Sequence, residues 1–428
     1  MLSAPEMWST VPRINTRWTK LCLERSRDVL LDISVDSKEW IRCIPAIHSV
    51  LLHMERARSL YLWFEDLCRG VMRPKDLLWN DDIRVARKKI LNELVVREAP
   101  NLEKVHLGFD GRFDIGDSFI APILPDGLFD GKPTPQLKDM SLEYCIIITP
   151  IFIRLLSAAA ALTHLYLRDV RAWDSVDDMV QCLDAAPRLR SLHWVDKLLE
   201  YNHFAARRSD IHASRCVHLD ELMELQLGGS HTQNMVVFSY LSIPGTTRLT
   251  MNSSLNAWSH DRITHGEIED LTALFAEALR DHFACASARG AYFDSVLMFG
   301  NGGVRVEPED PANTVNDITP SSLSKLLPAK LALSCPQITY GHAWYIRHRR
   351  NFLDTLLSLP VFNRARSVNY SSLDVIHRFC EVHEIRIGNS SGLREFSAAF
   401  IESLPCPLPH LDRLHLEDID FIAQAGIS

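Results

Sequence analysis

The sequence predicts an α/β fold built by repetition, an irregular solenoid with parallel strands on a concave face and helices on a convex face. Two observations predict it. Apolar residues recur at positions i, i+3 and i+5 in six separate segments, and helical patterns fill the intervals between strands.

The six segments carry Leu102, Val105 and Leu107; Leu137, Met140 and Leu142; Leu162, Leu165 and Leu167; Leu189, Leu192 and Trp194; Leu222, Leu225 and Leu227; and Leu411, Leu414 and Leu416. On a helix, i+3 and i+5 lie about 200° apart, so no single helix face collects them. In a strand they share a face. Each segment is therefore a short strand entered through an apolar turn residue, the leucine-rich-repeat pattern. Cys145 stands at the ninth position, where that pattern takes Asn or Cys. The other units place Asp110, Val170, Lys197, Ser230 and Ile419 there, so the inner ladder is imperfect. Weaker units fall at Ser59–Trp63, Arg248–Met251, Ser295–Phe299, Ala329–Leu333, Arg366–Tyr370 and Glu384–Ile387.

Helices are expected over Asp82–Glu98, Pro150–Ala161, Ser175–Ala185 with Asp174 as N-cap, Gly266–Ala288, Ala343–Leu359, Ser372–Val382 and Leu393–Leu404. Strand and helix joined by short connections give parallel stacking. Gly300–Ser322 is polar, acidic and rich in Pro and Gly, and reads as a long exposed loop or a break in the array. Residues 1–55 read as an N-terminal helical cap and 56–428 as the solenoid.

The chain has 428 residues, a formal net charge of -8 and no dominant basic tract, which argues against nucleic-acid binding. Arg347-His348-Arg349-Arg350 reads as a solvated helix face. The ten cysteines form no C-x-x-C pair, and read as free thiols of a reducing compartment. No signal-peptide core and no apolar run of about 18 residues is present, so no membrane span is expected. A cytoplasmic or nuclear protein follows. The three glycosylation sequons, at Asn252, Asn369 and Asn389, then read as chance.

No nucleotide-loop, zinc-protease or nucleophile-elbow motif occurs. Gly300-Asn-Gly-Gly303 lacks a lysine and a helical continuation, and reads as a turn. His265, Glu267, Glu269 and Asp270 read as a helix start, where acids complement the dipole. His410, His415, Glu417 and Asp418 offer metal-ligating types, but His415 lies between inward leucines and points to the open face. No catalytic residue, metal or cofactor is therefore assigned. The better lead is the face between the inward leucines, which solenoids use for partners. Its candidate partner-binding residues are His106, Ser141, Glu143, Tyr166, Arg168, His193, Gln226 and His415, flanked by Lys104, Asp139, His164, Glu224, Arg413 and Glu417. The His, Tyr, Arg and acid mixture suits a protein ligand.

Three stretches resemble the fungal, basidiomycete-type family of F-box-associated leucine-rich-repeat proteins. Pro125 to Gly131 followed by Pro135 to Cys145 is similar to the family's P-x-x-L-F-x-G and P-x-L-x-x-L-x-L-x-x-C segments. Arg17–Val35 is similar to the helix and strand that follow the F-box. Ala4–Ser9 looks like the tail of the F-box itself. The resemblance implies the substrate-binding part of an SCF-type ubiquitin ligase receptor. Only the F-box tail is present, so a ligase adaptor is an expected partner only where an F-box stands upstream. The alternative is a free-standing leucine-rich-repeat scaffold. An enzyme would need a cluster of a buried acid and a histidine with strongly shifted pKa values.

Overall fold

The protein's structure is a computed structural model. It describes residues 8–10, 15–36, 43–64, 77–109, 121–196, 204–253, 264–298, 304–306, 331–333, 351–370, 381–388 and 408–416, with isolated residues between them. It is α/β with mostly parallel strands, and the chain divides into two compact units, Met1–Ala205 and Ala206–Ser428.

The first unit contains α1 (Thr16–Ser26), β1 (Leu31–Asp36), α2 (Ile44–Leu51), β2 (Ala57–Phe64), α3 (Leu77–Val95), β3 (Lys104–Phe109), β4 (Asp139–Glu143), α4 (Thr149–Ala158), β5 (His164–Arg168), α5 (Val176–Asp184) and β6 (Ser191–Val195). Its six strands lie side by side in chain order, all parallel. Residues 1–55 thus hold both helix and strand, and β1 pairs with β2. The N–H of Asp32 in β1 donates to the Ser9 carbonyl at 3.0 Å, and Trp8 packs edge-on to Trp18.

The i, i+3, i+5 spacing has a backbone cause. The N–H of Leu102, Leu137, Leu162 and Leu189 each donates to the carbonyl three residues earlier, on Ala99, Thr134, Ala159 and Ala186. That turn drives a buried side chain inward at i. The next two N–H groups then cross to the preceding repeat. Lys138 and Asp139 both donate to the Glu103 carbonyl, Thr163 and His164 to Lys138, and Arg190 and Ser191 to Thr163. Pinned in this way, each strand turns i+3 and i+5 into the core, and Val105, Leu107, Met140, Leu142, Leu165, Leu167, Leu192 and Trp194 are all buried. Burying one such leucine contributes about 1.5–3 kcal/mol.

Strand exits repeat as well. Tyr144 and Asp169, each two residues after the second core leucine, take left-handed backbone (φ 56° and 51°). Their N–H groups donate to the carbonyls of Arg168 and Val195. The Leu128–Gly131 3-10 turn buries Leu128 and Phe129 and packs on α3.

The second unit contains β7 (Val217–His218), β8 (Glu224–Gly229), α6 (His231–Tyr240), β9 (Leu241–Ser242), β10 (Arg248–Ser253), α7 (His265–Ala288), β11 (Ser295–Met298), β12 (Val304–Val306), β13 (Leu331–Leu333), helical residues 351–357, α8 (Pro360–Asn363), β14 (Ser367–Tyr370), β15 (Glu384–Ile387) and β16 (Arg413–Leu416). Its main sheet runs β8-β10-β13-β12-β11-β14-β15-β16.

Several expectations are corrected here. Chain order is broken: β12 pairs antiparallel with both β11 and β13, so the stacking is not uniformly parallel. Part of the expected loop Gly300–Ser322 is that strand, because alternating Val304 and Val306 bury inward. Helices α6 and α8 are additions to those the sequence predicts. The N-cap of α5 is Ser175, not Asp174: its hydroxyl accepts from the Asp178 N–H and the Asp178 carboxylate accepts from the Ser175 N–H. Leu414 and Leu416, expected inward, are 45% and 39% exposed, since β16 pairs only with β15 among the described residues. Thr264 caps α7 and its hydroxyl and backbone N–H hold Glu267, so that acid serves the helix start. Gly300–Gly303, Arg347–Arg350, Glu417 and Asp418 lie outside the described residues. So do most of the helices expected at Ser372–Val382 and Leu393–Leu404, and residues 4–7 of the Ala4–Ser9 stretch.

Candidate functional site

Strand register in the first unit sets side chains in rows across the sheet, about 4.8 Å apart. One row runs Tyr61, His106, Ser141, Tyr166, His193. The next runs Trp63, Gly108, Glu143, Arg168. These residues alternate with the buried leucines and so share the opposite face. Six of the eight candidates, His106, Ser141, Glu143, Tyr166, Arg168 and His193, are brought together there. Gln226 sits on β8 opposite Thr250, and His415 sits on β16 opposite Arg386, both in the second unit.

His106 is the centre of an aromatic shelf. Tyr61 stacks on it at 4.3 Å between ring centroids and 7° between planes, and Trp63 at 5.9 Å and 25°. Gly108 makes the shelf possible, because a Cβ there would strike the Trp63 ring. On the other side, His106 Nδ1 lies 2.8 Å from the Ser141 hydroxyl. Its Nε2 lies 4.0 Å from Glu143.

Glu143 is only 8% exposed. Burial pushes its carboxyl pKa up, Arg168 pulls it down and Asp169 raises it further. Arg168 Nη1 stands 3.5 Å from Glu143, Arg168 Nε stands 3.8 Å from Asp169, and the guanidinium lies over the Tyr144 ring at 5.4 Å. Tyr144 holds that position from left-handed backbone, a conformation costing a non-glycine residue about 1–2 kcal/mol. Burial, then Glu143, raises the Tyr166 phenol. A third row is ionic at the rim: Asp139 lies 3.4 Å from Lys104 and 2.9 Å from His164.

Among the described residues of the second unit, strands β15 and β16 carry an ionic cluster on their open face. Glu384 gathers Arg386 at 2.7 Å, His415 at 3.6 Å and Arg413 at 3.8 Å. Among the described residues, no group of three or more His, Cys, Asp and Glu side chains is placed to hold a metal ion. No described helix is long and apolar enough to cross a membrane.

Sequence reasoning missed Tyr61, Trp63, Gly108, Tyr144 and Asp169. The first two are legible once Leu60 and Leu62 are taken as inward leucines. Gly108 has a signal too, since a glycine inside a strand marks close approach. No protein-family model matches the chain, and no curated protein matches it.

Proposed function

We propose that the protein is a non-enzymatic recognition module, an irregular leucine-rich-repeat solenoid whose polar sheet face binds a protein partner. The observation that carries this reading is the in-register row Tyr61, His106, Ser141, Tyr166, His193, bordered by Trp63, Glu143 and Arg168. Aromatic and Arg side chains on a rigid sheet are the residue types that anchor protein interfaces. A role as substrate receptor of an SCF-type ligase rests on the F-box resemblance and is separable. Co-purification of adaptor and cullin with the product of the full transcript supports it, and their absence leaves a free-standing scaffold. The recognition role itself is tested by quantitative affinity capture with wild type and Tyr61→Ala/Tyr166→Ala. Partners retained at equal levels by both proteins contradict it.

A second reading comes from one contact chain: Ser141 hydroxyl, His106, Glu143. Nucleophile, base and acid in that sequence are the parts of acyl-transfer chemistry. Three features weigh against it. Glu143 is beyond hydrogen-bond reach of His106. Ser141 sits mid-strand, where backbone N–H groups are committed to two ladders and none is left for an oxyanion. The neighbouring Cys145 thiol is held far up by burial, so it is no thiolate nucleophile. Labelling of Ser141 by a fluorophosphonate, abolished in Ser141→Ala, would establish the enzymatic reading.

A further inference from the structure

We infer that the face of the first unit recognises a basic side chain of its partner, arginine in preference to lysine, seated on the Trp63–His106 shelf against Glu143. The inference rests on the recognition reading above and deepens it. Among the described residues the arginine or lysine nearest Glu143 is Arg168, and Arg168 also stands 3.8 Å from Asp169. Its charge faces both acids, and Asp169 works against the hold of Arg168 on the Glu143 carboxylate. The rim does not complete the balance, because Lys104 and His164 are both held by Asp139.

Glu143 is also under-bonded. Among the described residues its Oε2 is shielded from solvent and accepts no hydrogen bond, and Arg168 Nη1 stands 3.5 Å from it. A buried carboxylate in that condition is costly, and a donor brought by a ligand relieves it. The flanking groups select the donor. Trp63 and Tyr61 stack on His106, whose Nε2 stands 4.0 Å from Glu143, and aromatic rings attract cations. A planar guanidinium can stack on the shelf and donate two hydrogen bonds at once, whereas an ammonium donates as a point. An acidic side chain would meet like charge at Glu143.

The test is a positional peptide library on the immobilised full chain, with one fixed residue per pool. Arginine-fixed pools are expected to bind best, lysine-fixed pools less, and Asp- or Glu-fixed pools least. Glu143→Gln is expected to lower arginine-pool binding at least tenfold, with thermal melting confirming that the variant folds. Equal binding of arginine pools to wild type and Glu143→Gln overturns the basic-residue inference. If other pools bind and lose binding only in Tyr61→Ala/Tyr166→Ala, the face is a recognition surface for a different residue class, which also overturns it. If neither variant changes the binding of any pool, the inference and the recognition reading fail together.

Discussion

In residues Met1–Ala205 the strands stack in chain order, whereas in Ala206–Ser428 β13, β12 and β11 fold back between β10 and β14. Both units use the same entry device. In the second, the Ser367 N–H crosses to the Asp294 carbonyl, the Glu384 N–H to Arg366, and the Arg413 N–H to His383. The difference is therefore not in the repeat unit. It lies in what comes between units: the reversal at β12 removes strict succession without removing the local turn. Their open faces differ as well. Succession in the first unit lines up an aromatic row, while β15 and β16 line up ion pairs around Glu384.

The sharpest way to break this comparison is to truncate the same repeat position in both units. Leu142→Ala on β4 is expected to cost about 2–5 kcal/mol, because the leucine is wholly buried. Leu416→Ala on β16 is expected to change stability by less than about 0.5 kcal/mol, as at an exposed site. Urea melts of the two variants measure both.

The next effect belongs to the second unit alone. His282 is 5% exposed, and burial, then Arg215, lowers its pKa to about 4, against a hydrogen bond to the Ile243 backbone. Between pH about 6.5 and about 4, the unfolded chain binds the proton that the folded chain refuses. Stability is thus full above pH about 6.5 and falls on acidification by up to about 3 kcal/mol. His282→Gln is expected to flatten that acid limb in melts taken from pH 7 to pH 4.

Two smaller effects probe the first unit. Gly108→Ala should displace the Trp63 indole and cost about 1–3 kcal/mol, with a shift in tryptophan emission. Ser175→Ala removes the α5 capping box and should cost about 1 kcal/mol by thermal melting.

Much of this was legible in the sequence, and the reasons are specific. The strands could be read because the turn at i and the core positions i+3 and i+5 are fixed by one backbone geometry. Helix α6 could not. All ten of its residues are buried, polar His231, Thr232, Gln233 and Asn234 included, so no amphipathic period exists to detect. Strand β12 was hidden because its two valines sit inside a Gly-, Pro- and acid-rich stretch. The meeting of His106, Ser141 and Glu143 needed strand register, which loops of unequal length conceal. Six candidates chosen by alternation alone nonetheless fell on one face, because alternation is the property that register preserves.

The first unit's aromatic face, rather than the ion-paired strands β15 and β16, is the surface proposed to meet the partner. A photo-crosslinking residue placed at Ser141 and, separately, at Arg386 tests it most directly. Position 141 is expected to give a discrete cross-linked protein adduct that disappears on Tyr61→Ala/Tyr166→Ala, and position 386 none. Adducts from position 386 alone would contradict it.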